Sequence, residues 1–259
     1  MHSLRSSDGT TIAFDRSGEG PPIILVVGAF NDRSTGAPLA EVLEPRFTVY
    51  TYDRRGRGAS GDTAPYAVDR EVEDLEALIG EAGGSASVFG YSSGAVLSLK
   101  AAARGLPITK LALYDPPLLV DESRPRPPAD LQARIGELVA TGRRGEAVEL
   151  FQTDAVGIPA DVVAQLRHAP FRPALEDMAH TLVYEMAILG DLSLSTELMA
   201  RVKVPTLVMA GGDTQAWMRH TARAIAEAVP DGRHRILEGQ THDIVPAAVA
   251  PVLEEFLAG

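Results

Sequence analysis

Gly90-Tyr91-Ser92-Ser93-Gly94 holds two serines between glycines, and only Ser92 occupies the nucleophile position of a G-x-S-x-G frame. On its own the pentapeptide would equally serve as a small-residue crossing from a strand to a helix. A serine hydroxyl attacks a carbonyl at neutral pH only if a base takes its proton. Six histidines are available. His2 opens an edge strand, His168 and His180 fall in a helical stretch, His220 lies inside a helix, and His234 begins a strand at the wrong end. His242 differs, because it follows "RILEGQT" just past the C-terminal end of the last predicted strand, where open parallel sheets place ligands. The bland alternative for His242 is a loop residue capping the final helix.

The imidazole in turn needs a carboxylate to fix its tautomer and stabilise the imidazolium. Asp213 in "VMAGGDT" follows the preceding strand and gives the chain order Ser…Asp…His, so it is the first choice. It would also suit a helix cap. Asp115 in "LALYDPP" is the alternative acid, and Asp243 is too close to His242 in sequence to reach its ring. Two backbone amides should receive the developing oxyanion. Ser93, at the start of the helix after the turn, supplies one. The loop "VVGAFNDRS" supplies the other, from Ala29 or, as the alternative, Phe30, with Gly28 allowing close approach.

These residues need strands ending in loops. "PPIILVV" is a continuous run of branched apolar residues, suited to a strand buried on both faces of a parallel sheet. "SASVFGY" predicts a strand and "SGAVLSLKAAARG" a helix, the context the serine turn demands. "HSLRS" and "TIAFDRSG" read as an opening hairpin, and "FTVYTYD", "ITKLALYD", "VPTLVMAGG" and "HRILEG" as further strands. Helices alternate with them: Val72, Leu75, Leu78 and Ile79 share one face of "DREVEDLEALIGEAGG". The alternation predicts the α/β class, a mostly parallel sheet with helices on both faces. From about 116 to 201 no strand is expected. A proline-rich linker, "PPLLVDESRPRPPAD", leads there into several helices, the longest of them "PALEDMAHTLVYEMAILG". The expected plan is a core of residues 1–115 and 202–259 interrupted by a helical insertion at 116–201.

The 259 residues carry 24 Lys and Arg against 35 Asp and Glu, a formal charge of −11, which disfavours sequence-independent binding to nucleic acid. With no cysteine, disulfides and thiolate chemistry are excluded. No signal segment or membrane span is read, so a cytoplasmic protein, monomer or homodimer, is expected. No metal or cofactor is implied, and the expected partner is a small-molecule substrate.

With these residues in hand, the sequence resembles the α/β-hydrolase superfamily over essentially its whole length. "YDRRGRGAS" looks like the superfamily's Asp-x-Arg-Gly-x-Gly-x-Ser segment, carried here by Asp53, Arg55, Gly56, Gly58 and Ser60. It is similar to a structural turn and is given no chemistry. The insertion stands where the family has its cap. Many members have His-Gly at the oxyanion loop; Val27-Gly28 replaces it here, so Asn31 and Asp32 are expected to brace the loop.

The resemblance implies an acyl-enzyme mechanism without a cofactor and names no substrate; the leading expectation is a serine hydrolase that cleaves a carboxylic ester, lactone or thioester of a small, largely apolar substrate. The alternatives are a lyase, perhydrolase or natural-product cyclase on the same scaffold, or a ligand-binding pseudoenzyme. Phe30, Tyr91, His180 and Tyr184 are the expected pocket residues.

Overall fold

Residues Pro22–Val26 (β3) alternate between two cores: Ile24 and Val26 pack into one, Ile23 and Leu25 into the other. That is why the run is apolar throughout instead of alternating with polar residues. The computed structural model describes residues 1–258. The other strands are His2–Arg5 (β1), Thr11–Ser17 (β2), Thr48–Tyr52 (β4), Ala86–Tyr91 (β5), Ile108–Tyr114 (β6), Thr206–Gly211 (β7) and Gly232–Leu237 (β8). They form one eight-stranded sheet in the order β1-β2-β4-β3-β5-β6-β7-β8. β2 runs antiparallel to both β1 and β4, and every pairing from β4 to β8 is parallel.

Helices Arg33–Leu43 (α1) and Pro246–Ala258 (α11) cover one face, through Leu39, Leu43, Leu253 and Phe256. Val68–Glu81 (α2), Ser93–Arg104 (α3) and Ala216–Ala228 (α10) cover the other. The four residues predicted to share one face of α2 are all buried there. The strand order reverses between β3 and β5, and loops at the C-terminal ends beside such a switch point form a crevice.

Between β6 and β7 the chain adds no strand to the sheet and makes a single bridge, Leu119 to Ser193. Six helices occupy this stretch: Leu131–Ala140 (α4), Arg144–Leu150 (α5), Ala160–Leu166 (α6), Arg172–Asp177 (α7), Leu182–Leu189 (α8) and Thr196–Arg201 (α9). Their own core, with Leu131, Ile135, Phe151, Leu182 and Met186, also packs against Ala29 and Phe30 of the sheet domain.

The helices of this stretch depart from regular α geometry in two places. The long helix expected near 173–190 is broken into α7, a 3₁₀ turn at Ala179–Thr181 and α8. There the Thr181 hydroxyl donates to the Met178 carbonyl at 2.8 Å, a local bond that competes with helix continuation. After α5, Phe151–Val156 forms a π-helical turn that ends at Gly157, whose φ of 85° suits glycine.

Candidate active site

Strand β5 delivers Ser92 at φ 55° and ψ −126°, between its last residue and the first of α3. A side-chain-bearing residue pays about 1–3 kcal/mol for such a backbone, so the surroundings must enforce it. They do so with glycines. A Cβ on Gly94 would stand 2.2 Å from the Val26 carbonyl oxygen, and one on Gly90 would stand 2.7 Å from Ala95 Cα. Gly28 plays the same part from the facing loop, where a Cβ would lie 2.8 Å from Ser92 Cβ. Gly94→Ala is accordingly expected to cost several kcal/mol, because the obstacle is backbone of β3, which cannot swing aside. Urea denaturation would show this as a lowered midpoint, and an unchanged midpoint would contradict the close approach.

Four non-glycine residues have positive φ among the described residues: Phe30, Ser92, Asp115 and Leu192. Phe30, Ser92 and Leu192 line one cavity of about 440 Å³, and Asp115 bonds the histidine that also lines it. Backbone strain gathered in one place marks a functional site.

Within hydrogen-bond reach of Ser92 Oγ is His242 Nε2, at 3.2 Å. On its other side, His242 Nδ1 lies 3.1 Å from Asp115 Oδ2. The structure therefore pairs His242 with the alternative acid, and Asp213, the first choice, is displaced. Asp213 is exposed, its amide donates to the Gln240 carbonyl at 2.9 Å, and it lines the cavity without a hydrogen bond to His242.

The reason lies in β6, the direct neighbour of β5. Asp115 follows β6 at φ 48°, its amide donates to the Met209 carbonyl, and the Gly211 amide donates to its Oδ1 at 3.3 Å. Gly211 also lets the His242 loop close in, since a Cβ there would meet the Gln240 and Thr241 carbonyls at 2.4 and 2.5 Å. Tyr114 secures that loop by donating its hydroxyl to the Thr241 carbonyl. Burial pushes the Asp115 carboxyl above its ordinary range, opposed by its hydrogen bond to His242.

Ala29, Phe30 and Ser93 border the cavity beside Ser92, and none of their amides donates to a backbone carbonyl among the described residues. The loop that carries Ala29 and Phe30 is held by its carbonyls. Asn31 Nδ2 donates to the Ala29 carbonyl at 2.6 Å, while Asp32 caps α1 by accepting from the Ser34 amide. Arg57 Nη1 donates to the Gly28 carbonyl at 2.5 Å and to that of Asn31 at 3.1 Å; Arg54 Nη1 reaches the Val27 carbonyl at 3.3 Å. The segment read as a mere turn thus braces the loop beside Ser92.

Both arginines are fully buried, and their charge is met by Glu71 of α2 and Glu185 of α8. Burial and the neighbouring Arg54 depress the Arg57 pKa, with Glu185 opposing. For Glu71, burial works upward but the Arg54 charge and hydrogen bonds outweigh it, leaving the carboxyl below its usual range.

Phe30 and Tyr91 line the cavity as expected, whereas His180 and Tyr184 do not. Tyr184 stacks on Tyr66 with ring centroids 3.8 Å apart and donates its hydroxyl to Asp62. The His180 ring packs edge-on against Tyr184. Both seat α8 and the turn before it on the sheet domain instead of facing Ser92. Among the cavity residues missed in the sequence, Arg124, Gln152 and Trp217 come from the proline-rich linker, the π-helical turn and α10. Among the described residues no cluster of three or more acidic or histidine side chains could hold a metal ion, and no helix is long and apolar enough to cross a membrane.

Residues 23–254 match the model of the alpha/beta hydrolase family. An alpha/beta hydrolase from Sphaerobacter thermophilus is similar at 57% identity, with 99% of this chain and 100% of that chain covered and a TM-score of 0.94. N-formylmaleamate deformylase of Pseudomonas putida is 37% identical over 105 residues, a stretch that spans only 39% of this chain and 39% of that protein. A putative carbamate hydrolase of Azorhizobium caulinodans, RutD, is 25% identical over 95% of this chain and 93% of its own. The relatives named are hydrolases.

Proposed function

The chain belongs to the alpha/beta hydrolase family, and from that premise we propose that it is a serine hydrolase acting on a carboxylic ester, lactone or thioester. The observation that carries this reading is the hydrogen-bonded series Ser92 Oγ, His242 Nε2, His242 Nδ1, Asp115 Oδ2, with steps of 3.2 and 3.1 Å. In the mechanism, His242 Nε2 takes the Ser92 proton as Oγ attacks the substrate carbonyl. Asp115 fixes the tautomer with Nδ1 protonated and stabilises the imidazolium. The tetrahedral oxyanion is received by the amides of Ser93 and of Ala29, with Phe30 as the alternative donor, and the N-terminus of α3 adds a favourable field.

His242 then returns the proton to the leaving group, leaving an acyl group on Ser92. Water, activated by the same imidazole, releases it. The helical stretch between β6 and β7 acts as the cap, its π-helical turn forming part of the wall of the Ser92 cavity. The names of the two curated relatives favour a second substrate range, acyl groups on nitrogen, for which His242 would protonate the departing nitrogen.

A fluorophosphonate probe tests the reading. Stoichiometric labelling at Ser92, located by peptide mass spectrometry and lost in Ser92→Ala, is expected. No label on the folded protein would mean that Ser92 is not activated, and the ligand-binding reading would then lead.

A further inference from the structure

Arg124 lies on the wall of the Ser92 cavity without a carboxylate partner among the described residues. The buried arginines Arg54, Arg55, Arg57 and Arg172 each meet an acidic side chain, whereas half-buried Arg124 does not. Arg124 Nη1 and Nη2 donate instead to the carbonyls of Val156 and Ala155, at 2.9 and 2.8 Å, and its guanidinium carbon sits 5.1 Å from the centre of the Trp217 ring. These contacts fix the orientation of the fork but leave its charge uncompensated, and three of its five N–H donors remain free.

On the π-helical turn whose carbonyls Arg124 meets, Gln152 is 6% exposed, lines the cavity, and has a buried Oε1 with no hydrogen-bond partner. A buried amide oxygen and a half-buried cation on a cavity wall are costly to leave unmatched. The neighbouring wall is apolar, built from Phe30, Phe151 and Trp217. Asp213, the other charged side chain of the cavity wall, is exposed and forms no ion pair with Arg124 within 4 Å.

We infer that Arg124, with Gln152 beside it, binds a carboxylate carried by the substrate away from its scissile carbonyl, so that the preferred substrates are anionic acyl compounds. This rests on the serine-hydrolase reading for the reacting end, and names the chemistry of the other end. A carboxylate would take the free donors of the Arg124 fork, and the Gln152 amide, turned over so that its Nε2 takes the place of the orphaned Oε1, would donate to the same group. Trp217 would hold the guanidinium plane in place, and an uncharged substrate of equal length would leave the arginine and glutamine unmatched.

The test uses matched pairs. The carboxylate lies on the acyl chain in 4-nitrophenyl hydrogen adipate, compared with 4-nitrophenyl hexanoate, and on the leaving group in 3-carboxyphenyl hexanoate, compared with phenyl hexanoate. In at least one pair kcat/KM is expected to favour the anion by about tenfold or more. Arg124→Met should collapse that ratio towards one, and Arg124→Lys, which keeps the charge, should retain most of it. Using the ratio within each variant removes any loss of active protein from the comparison. No anionic preference in either pair, or a preference untouched by Arg124→Met, would overturn the inference.

Binding is read separately in Ser92→Ala protein. Trp217 is the only tryptophan, so its fluorescence reports the cavity. Methyl hydrogen adipate is expected to bind at least about tenfold more tightly than methyl hexanoate, and to lose that margin when Arg124→Met is added. If the anion binds in this way while no ester is turned over and Ser92 takes no label, the hydrolase reading fails and the carboxylate site stands. Turnover without anionic preference fails the carboxylate site alone.

Discussion

Asp115→Asn is expected to lower kcat by about 10⁴-fold on any ester the protein turns over, whereas Asp213→Asn should change it by less than about tenfold. The asymmetry follows from contacts. Asp115 is fully buried and accepts from both the Gly211 amide and His242. Asparagine is isosteric, but its amide nitrogen presents donors where His242 Nδ1–H needs an acceptor. The ring would then favour the tautomer with Nε2 protonated, which cannot take the Ser92 proton. Asp213 bonds neither ring nitrogen, so its amide removes a charge from the cavity wall and nothing from the relay. Steady-state kinetics with an activated ester separates the two, with circular dichroism confirming that both variants fold. Equal losses in both, or a larger loss in Asp213→Asn, would move the acid back to β7 and require the cavity to rearrange before catalysis.

That outcome also shows where sequence reasoning reaches its limit. Ser92 and His242 were legible because each pairs a residue type with a chain position: the serine in a glycine-framed strand-to-helix turn, the histidine past the last strand. The sheet was legible because β3, β5 and β7 are apolar on both faces. Asp115 and Asp213 defeat that logic, since both follow a strand by one or two residues. What separates them is lateral order in the sheet and the left-handed backbone at Asp115, neither of which spacing reports. The buried arginines were missed for another reason: "DRRGRG" reads as a structural turn with no chemistry of its own. Their partners carried the signal. Glu71 falls on the same helical stripe as Leu75 and Leu78, and Glu185 sits inside "LVYEMAIL", where an isolated carboxylate needs a buried cation.

Glu185→Ala is expected to destabilise the protein by about 3–5 kcal/mol, the usual cost of removing one member of a buried ion pair. Glu185 is fully buried on α8 and bonds both Arg54 and Arg57, so its loss strands two guanidinium groups against the single carboxylate of Glu71. Arg57 has the poorer remaining company, because its other partners among the described residues are the Gly28 and Asn31 carbonyls. A urea midpoint measures the loss. The double variant Arg57→Met, Glu185→Leu then separates stability from catalysis. Replacing a buried pair with apolar residues of similar size is often neutral or stabilising, so the midpoint should recover. Turnover should not recover, because the carbonyls on either side of Ala29 and Phe30 have lost the donor that orients those amides. Misdirecting one oxyanion donor lowers kcat by about 10²–10³-fold, and a loosened brace should cost a substantial part of that, with KM little changed. A double variant with both native stability and native kcat would show that Asn31 and Arg54 suffice to hold the loop, leaving the Arg57–Glu185 pair as a means of seating α8 on the sheet domain.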